Sequence, residues 1–245
     1  MWRVEHFDEI DSTNSYLAQR ARADAPEGLV ALADFQSAGR GRRDRSWSSP
    51  PGASLLCSLL LRPSIEVNEL QLVVAAVALA ARAALVRLCG LRPQLKWPND
   101  LIVGEHKVAG VLAEVISTRR GIAVVVGLGV NLTYGGPGGT ATSVRSESGV
   151  TLAARGVLDI VLEEVESRRA SLDTVEGRAT LRAEYRTALS TTGQRVRVER
   201  VGDSVAGTAL GVDDDGRLLV EVGGVVHTFD AGDVIHVRPD TGEST

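Results

Sequence analysis

The stretch KVAGVLAEVISTRRGIAVVVGLGVNL (Lys107–Leu132) contains two apolar runs, 108–116 and 121–132, rich in Val, Leu and Ile and separated by charged residues and a glycine. Short runs of this composition, bounded by Gly, Pro or charges, read as β-strands rather than helices. GLVALADF (28–35) and SLLCSLLLR (54–62) read the same way. Helical segments lie between and after them. DSTNSYLAQRARAD can be capped by Asp11, Ser12 or Thr13. The apolar stretch 70–88 has Asn68 as its expected cap, Gln71 three residues on, and Gly90 as its stop. Segments 151–169 and 176–190 repeat apolar residues at three- and four-residue steps. The expected fold class is therefore α+β, a mixed or antiparallel sheet covered by helices. YGGPGGTATS (134–143) is a loop.

After Ser190 the texture changes to five short β-type runs punctuated by GD, DDDG, GG and AGD, the spacing of a small barrel. The expected organisation is a large domain, 1–190, followed by a small β-barrel domain, 191–240, with a frayed tail.

The 245 residues carry 27 Lys+Arg and 31 Asp+Glu, a formal charge of −4, which argues against a general nucleic-acid binder. Cys57 and Cys89 form no C-x-x-C pair and read as buried free thiols of a cytoplasmic protein. The N-terminus lacks an apolar signal core, and stretch 70–88 is interrupted by Gln71, Arg82 and Arg87, so no membrane association is expected. His6, His106, His227 and His236 show no metal-ligand spacing.

Against this acidic background, GRGRRDRSW (Gly39–Trp47) packs four arginines and two glycines into nine residues. Arginine forks suit carboxylates and phosphates, and glycine lets backbone approach a ligand closely. Mutual repulsion among Arg40, Arg42, Arg43 and Arg45 predicts a loop that is mobile until an anion orders it; the plain alternative is a solvated basic loop paired with carboxylates. Asp44 stands where a dinucleotide G-x-G-x-x-G would need its last glycine, and Ser12 has no G-x-S-x-G context. In LKWPNDLIVGEHKVAGVLAEV, Lys96, Asp100 and Lys107 bracket a hairpin-like connection. Two lysines and a carboxylate there suit phosphate and a divalent cation. The alternative is a charged turn with Trp97 as a core anchor.

Together the two stretches carry a resemblance. GRGRRDRSW, KWPND and KVAGVLAE, with STN at Ser12–Asn14, QSAGRGR from Gln36 and GLGVN at Gly127–Asn131, occur in the order found in the biotin protein ligases. The resemblance implies a ligase core like that of class II aminoacyl-tRNA synthetases and a C-terminal domain like Src-homology-3. It implies that biotin is activated with ATP to biotinyl-5'-AMP and passed to a lysine of a biotin carboxyl carrier domain. Ser12, Thr13, Asn14, Gln36, Gly39, Arg40, Gly41, Arg42, Lys107 and Gly110 would then serve biotin, and Arg42, Trp47, Lys96, Asp100, Lys107 and Asn131 would serve ATP. Lys107, Arg42 and Asp100 would be catalytic, with Mg²⁺ near Asp100. The sequence departs from the family pattern at Asp44, where a glycine is usual, and at Ser54 and Leu56, where Asn and Tyr are usual. Beginning eleven residues before STN, the chain is expected to lack the DNA-binding domain some relatives carry. Competing readings are a lipoate or octanoate ligase of related fold and a nonenzymatic phosphate-binding module. Monomer and homodimer stay open.

Overall fold

A computed structural model describes residues 2–43, 45–136, 138–200, 203–230 and 232–236. Position 44 and the tail expected to fray lie outside them.

The N-terminal sheet is built from β1 (Arg3–Ile10), β2 (Leu29–Gln36), β3 (Ser54–Leu61), β4 (Gln94–Lys96), β5 (Asp100–Val103), β6 (His106–Thr118) and β7 (Gly121–Asn131). Its strand order is β1-β2-β3-β7-β6-β5-β4, with β1 parallel to β2 and every other pair antiparallel. It is the expected mixed sheet. β1 is an addition to the reading from sequence, because RVEHFDEI alternates charges with few strong apolar residues.

Strand alternation gives the sheet two different faces. Leu55, Cys57 and Leu59 of β3 and Val124, Val126 and Leu128 of β7 join the main core. That core is completed by α2 (Gln71–Cys89), α4 (Ala154–Leu172) and α5 (Val175–Ala188). Segment 67–89 is long and apolar enough to cross a membrane by composition, yet most of it is buried inside the protein. Gly90 ends α2 in the left-handed conformation at φ 72, as read from sequence. Asn68 does not cap it. It lies in a 3-10 turn, Val67–Glu69, and donates instead to Asp215 at 3.0 Å, so Leu70 takes the cap position without a side-chain bond.

The opposite face is covered at one end only, by the ten-residue α1 (Thr13–Arg22), whose Leu17, Ala18 and Ala21 pack on Leu60, Ala123 and Val125. Of the three possible caps, Ser12 is used: its Oγ accepts from the Ser15 N–H at 3.4 Å. Ser12→Ala is expected to cost about 1 kcal/mol, read as a fall of about 2–4 °C in melting temperature; an unchanged melt would show that the cap is not used in solution.

The C-terminal sheet contains β8 (Arg195–Arg200), β9 (Asp203–Val212), β10 (Leu218–Val222), β11 (Val225–Phe229) and β12 (Asp233–His236), all antiparallel, in the order β11-β10-β9-β8-β12. These are the five runs read from sequence. The turn between β9 and β10 rests on α5, where Arg182 Nε donates to Asp214 O at 2.8 Å and Arg186 Nη2 meets Asp214 Oδ1 at 2.9 Å. Trp97 crosses the same junction: its indole is 2 % exposed and donates from Nε1 to Gly216 O at 3.0 Å. α3 (Val144–Ser148) follows the glycine-rich loop.

Candidate active site

The register of the N-terminal sheet builds a floor. On the face that α1 leaves open, Ala33 pairs with Leu56, Leu56 with Gly129, Gly129 with Gly110, Gly110 with Asp100, and Asp100 with Lys96. The two glycines in the middle of this row remove side chains, and the hairpin formed by 39–43 and 45–47 lays Trp47 into the gap. A Cβ at Gly129 would lie 2.7 Å from the indole, and one at Gly110 would lie 2.8 Å from Lys107 Nζ. A second row, Ala31, Ser58, Gly127 and Leu112, runs beside it. Gly127 leaves room for Asn14, whose Oδ1 would be 2.3 Å from an added Cβ.

Between these rows, the end of α1, the arginine hairpin and β12 lies a cleft of about 360 Å³. It brings together Ser12, Thr13, Asn14, Gln36, Arg40, Gly41, Arg42, Trp47, Lys96, Asp100, Lys107 and Gly110. Gly39 and Asn131 do not line it. Gly39 is held by backbone crowding, since a Cβ there would meet Trp47 O at 2.3 Å. Asn131 is buried and uses its amide to hold Thr142 O at 3.0 Å and Lys107 O at 3.4 Å, so it supports the backbone behind Lys107.

One end of the cleft is neutral and polar. Thr13 donates to Gln36 Oε1 from its N–H at 2.8 Å and its hydroxyl at 2.9 Å, while Ser58 Oγ lies 2.6 Å from Asn14 Oδ1. The other end is cationic. Lys107 Nζ sits 2.6 Å from Asp100 Oδ1 and 5.4 Å from the Trp47 ring centroid. Burial pushes both Arg42 and Lys96 below their ordinary values; neighbouring Asp233 and Asp100, respectively, oppose the shift most strongly. Each desolvated cation gains when an anion arrives. Burial and the Lys96 charge also lower His236.

The arginine segment, read as mobile until an anion orders it, finds acceptors for its guanidinium groups elsewhere in the fold. It folds into a tight hairpin, with Gly41 N–H on Arg45 O at 2.7 Å and Trp47 N–H on Gly39 O at 2.9 Å. Distant acceptors offset the repulsion. Arg40 pairs with Glu114 at 2.9 Å, Arg42 donates to Gly232 O at 3.2 Å, Arg43 donates to Glu199 O at 2.8 Å, and Arg45 pairs with Asp233. Sequence reasoning did not assign Ser58, Glu114, Glu199 or Asp233 to the site. Glu114 lay inside a quoted motif, and Asp233 was read as turn punctuation.

Magnesium takes one or two carboxylates together with phosphate oxygens, and Asp100 at the cationic end fits that part. Among the described residues no group of three or more His, Cys, Asp or Glu could hold a metal by itself.

A mixed-sheet core with a small antiparallel domain closing a half-neutral, half-cationic cleft goes with the protein ligases in each comparison. Residues 6–131 match the biotin/lipoate A/B protein ligase family, and residues 191–237 match the biotin protein ligase C terminal domain. The chain is 35 % identical to the biotin–[acetyl-CoA-carboxylase] ligase of Mycobacterium tuberculosis, covering 97 % of this chain and 90 % of that one. It is also 35 % identical to the ligase of the same name from Paracoccus denitrificans, covering 86 % and 90 %. The structure of the Aquifex aeolicus biotin protein ligase in complex with biotin and ATP superimposes with a TM-score of 0.83 at 25 % identity, over 98 % of this chain and 100 % of that one. The chain belongs to the biotin/lipoate A/B protein ligase family.

Proposed function

We propose that this chain is an ATP-dependent biotin protein ligase, and that its protein substrate is the biotin carboxyl carrier domain of a biotin-dependent carboxylase. The observation that carries the reading is the two-ended cleft. Thr13, Asn14 and Gln36, backed by the buried Ser58, suit an uncharged polar head such as the biotin ureido ring, whereas Arg42, Lys96 and Lys107 suit a carboxylate meeting phosphates. Lipoate ends in an apolar dithiolane, which would leave the buried polar groups of the neutral end unpaired.

In the first step a biotin carboxylate oxygen bonds to the α-phosphorus of ATP, the bond to the β-phosphate bridging oxygen breaks, and pyrophosphate leaves. Two anions must meet, so cations fixed in advance at the reacting phosphate lower the barrier. Lys107 and Arg42 would supply that charge and Lys96 would hold the nucleotide phosphates. Magnesium, held by Asp100 and the phosphates, would add charge neutralisation. In the second step the ε-amine of the carrier lysine bonds to the acyl carbon, the bond to the AMP oxygen breaks, and the amine gives up its proton. The hairpin above the cleft would keep water from the mixed anhydride until then. The free thiols Cys57 and Cys89 suit a reducing cytoplasm, where we place the enzyme.

The test is exchange of labelled pyrophosphate into ATP. Exchange is expected with biotin and not with lipoate. Exchange with lipoate alone would move the protein to the lipoate side of its family, and exchange with neither acid would overturn the ligase reading.

A further inference from the structure

The neutral end of the cleft is wired to the arginine hairpin through one carboxylate. Glu114, on β6, accepts from Arg40 Nη1 at 2.9 Å to each oxygen and from Asn14 Nδ2 at 2.9 Å. Asn14 gives its other amide proton to Leu112 O at 3.3 Å, so its Oδ1 is turned to Ser58 Oγ at 2.6 Å. Ser58 is fully buried and also lies 2.7 Å from Thr13 Oγ1. Thr13 closes the chain on Gln36 Oε1 with two donors.

We propose that Glu114 is a positioning residue that fixes the donor and acceptor polarity of Asn14 and Ser58 beside the neutral head of the substrate, and anchors the near half of the arginine hairpin while doing so. A carboxylate facing a guanidinium offers only acceptors. Both Asn14 protons therefore point away from Ser58, and Ser58 must donate toward Asn14. The Thr13 hydroxyl proton is then shared between Ser58 Oγ and Gln36 Oε1, while the Thr13 backbone N–H holds the Gln36 oxygen. What remains of Gln36 for the cleft is its amide donor. The pocket thus presents a donor to a ligand carbonyl, with the Gln36 amide held by the Thr13 backbone N–H and the Asn14 amide held by Glu114 and Leu112 O. Buried amides hold one orientation only when such a network dictates it.

The same carboxylate ties Arg40 to the sheet. The hairpin then has two separate moorings: Arg40 on β6 of the N-terminal sheet, and Arg43 and Arg45 on β8 and β12 of the C-terminal sheet. Glu114 is the mooring that also bonds Asn14 at the neutral end.

The kinetic part of this inference rests on the biotin reading, and the hairpin part does not. Glu114→Gln keeps the shape but can offer an N–H to Asn14, which removes the unique polarity and the anion facing Arg40. In biotin-dependent pyrophosphate exchange, the biotin KM is expected to rise about tenfold, as losing a charged hydrogen bond typically does, with the ATP KM within about twofold. Glu114→Asp, which keeps the charge at a shorter reach, is expected to fall between. Without substrates, trypsin is expected to cut the arginine hairpin several-fold faster in Glu114→Gln than in the wild type, at a similar melting temperature. An unchanged biotin KM overturns the polarity assignment, as does an equal rise in both KM values. Unchanged trypsin cleavage overturns the mooring. A wild-type protein that exchanges with no acid defeats the biotin reading, while the trypsin comparison still decides whether Glu114 holds the hairpin.

Discussion

Lys107→Ala is expected to lower biotin-dependent exchange of pyrophosphate into ATP by on the order of 10²-fold or more. The ammonium lies where the cleft changes from neutral to cationic, 2.6 Å from Asp100 and over the face of Trp47. Its stem curls over Gly110, which has no side chain to push it away. Its backbone is held on both sides: Lys107 N–H donates to Thr140 O at 3.2 Å, and Lys107 O accepts from Thr142 N–H at 2.8 Å. A charge fixed this firmly needs little reorganisation when the transition state forms, which is where such groups act most strongly. The side chain is about one-third exposed, so its removal should leave the fold intact. A drop in exchange rate with an unchanged melting curve is the expected pair of results. Activity within a few-fold of the wild type would reduce Lys107 to a partner of Asp100.

The largest stability loss from a single substitution is expected at Trp97. Its side chain is 2 % exposed, and truncating a buried tryptophan to alanine typically costs about 3–5 kcal/mol. Here the cost falls on the junction of the two sheets. The Trp97 backbone N–H donates to Thr191 Oγ1 at 3.1 Å, and the indole N–H donates to Gly216 O at 3.0 Å, both in or leading to the C-terminal sheet. A Cβ at Gly232 would come within 3.8 Å of the ring. Gly232 accepts from Arg42, and the adjacent Asp233 pairs with Arg45. Trp97→Ala is therefore expected to lower the melting temperature by about 6–20 °C and to loosen the far mooring of the arginine hairpin as well. A thermal shift below about 3 °C would show that the junction does not depend on the indole.

The strands of the two core runs in Lys107–Leu132 and the helices with clear apolar steps were legible because their patterns are local. The row Ala33, Leu56, Gly129, Gly110, Asp100 and Lys96 was not, since it exists only once five pairs of strands are in register. Ser58 looked like one polar residue in an apolar strand until Asn14 and Thr13 were found beside it. The arginine segment was read through the repulsion among its own residues. Its carboxylate partners, Glu114 and Asp233, are 74 and 188 residues away, beyond any local pattern. Asn68 illustrates the opposite error: a sound local capping signal was overridden by a tertiary contact with Asp215. Catalytic roles came from motif resemblance, and the cleft then supplied a physical setting in which those residues meet.

The cleft draws on Ser12 at one extreme and Ile235 at the other, more than two hundred residues later. At typical synthesis rates of about 5–20 residues per second, on the order of ten to forty seconds pass between the emergence of the two. For an early part of that interval β3 lacks β7, its sheet neighbour some 70 residues downstream, and the fully buried run SLLCSLLL has no partner on that side. The arginine hairpin likewise waits for β12, which comes last among the strands. Neither substrate can hasten the early stages, because the floor of the cleft is incomplete until β7 has paired with β3 and β6. The apolar edge of β3 is therefore open on that side for part of synthesis, and the enzyme gains ligand-dependent stability only after β7 has joined the sheet.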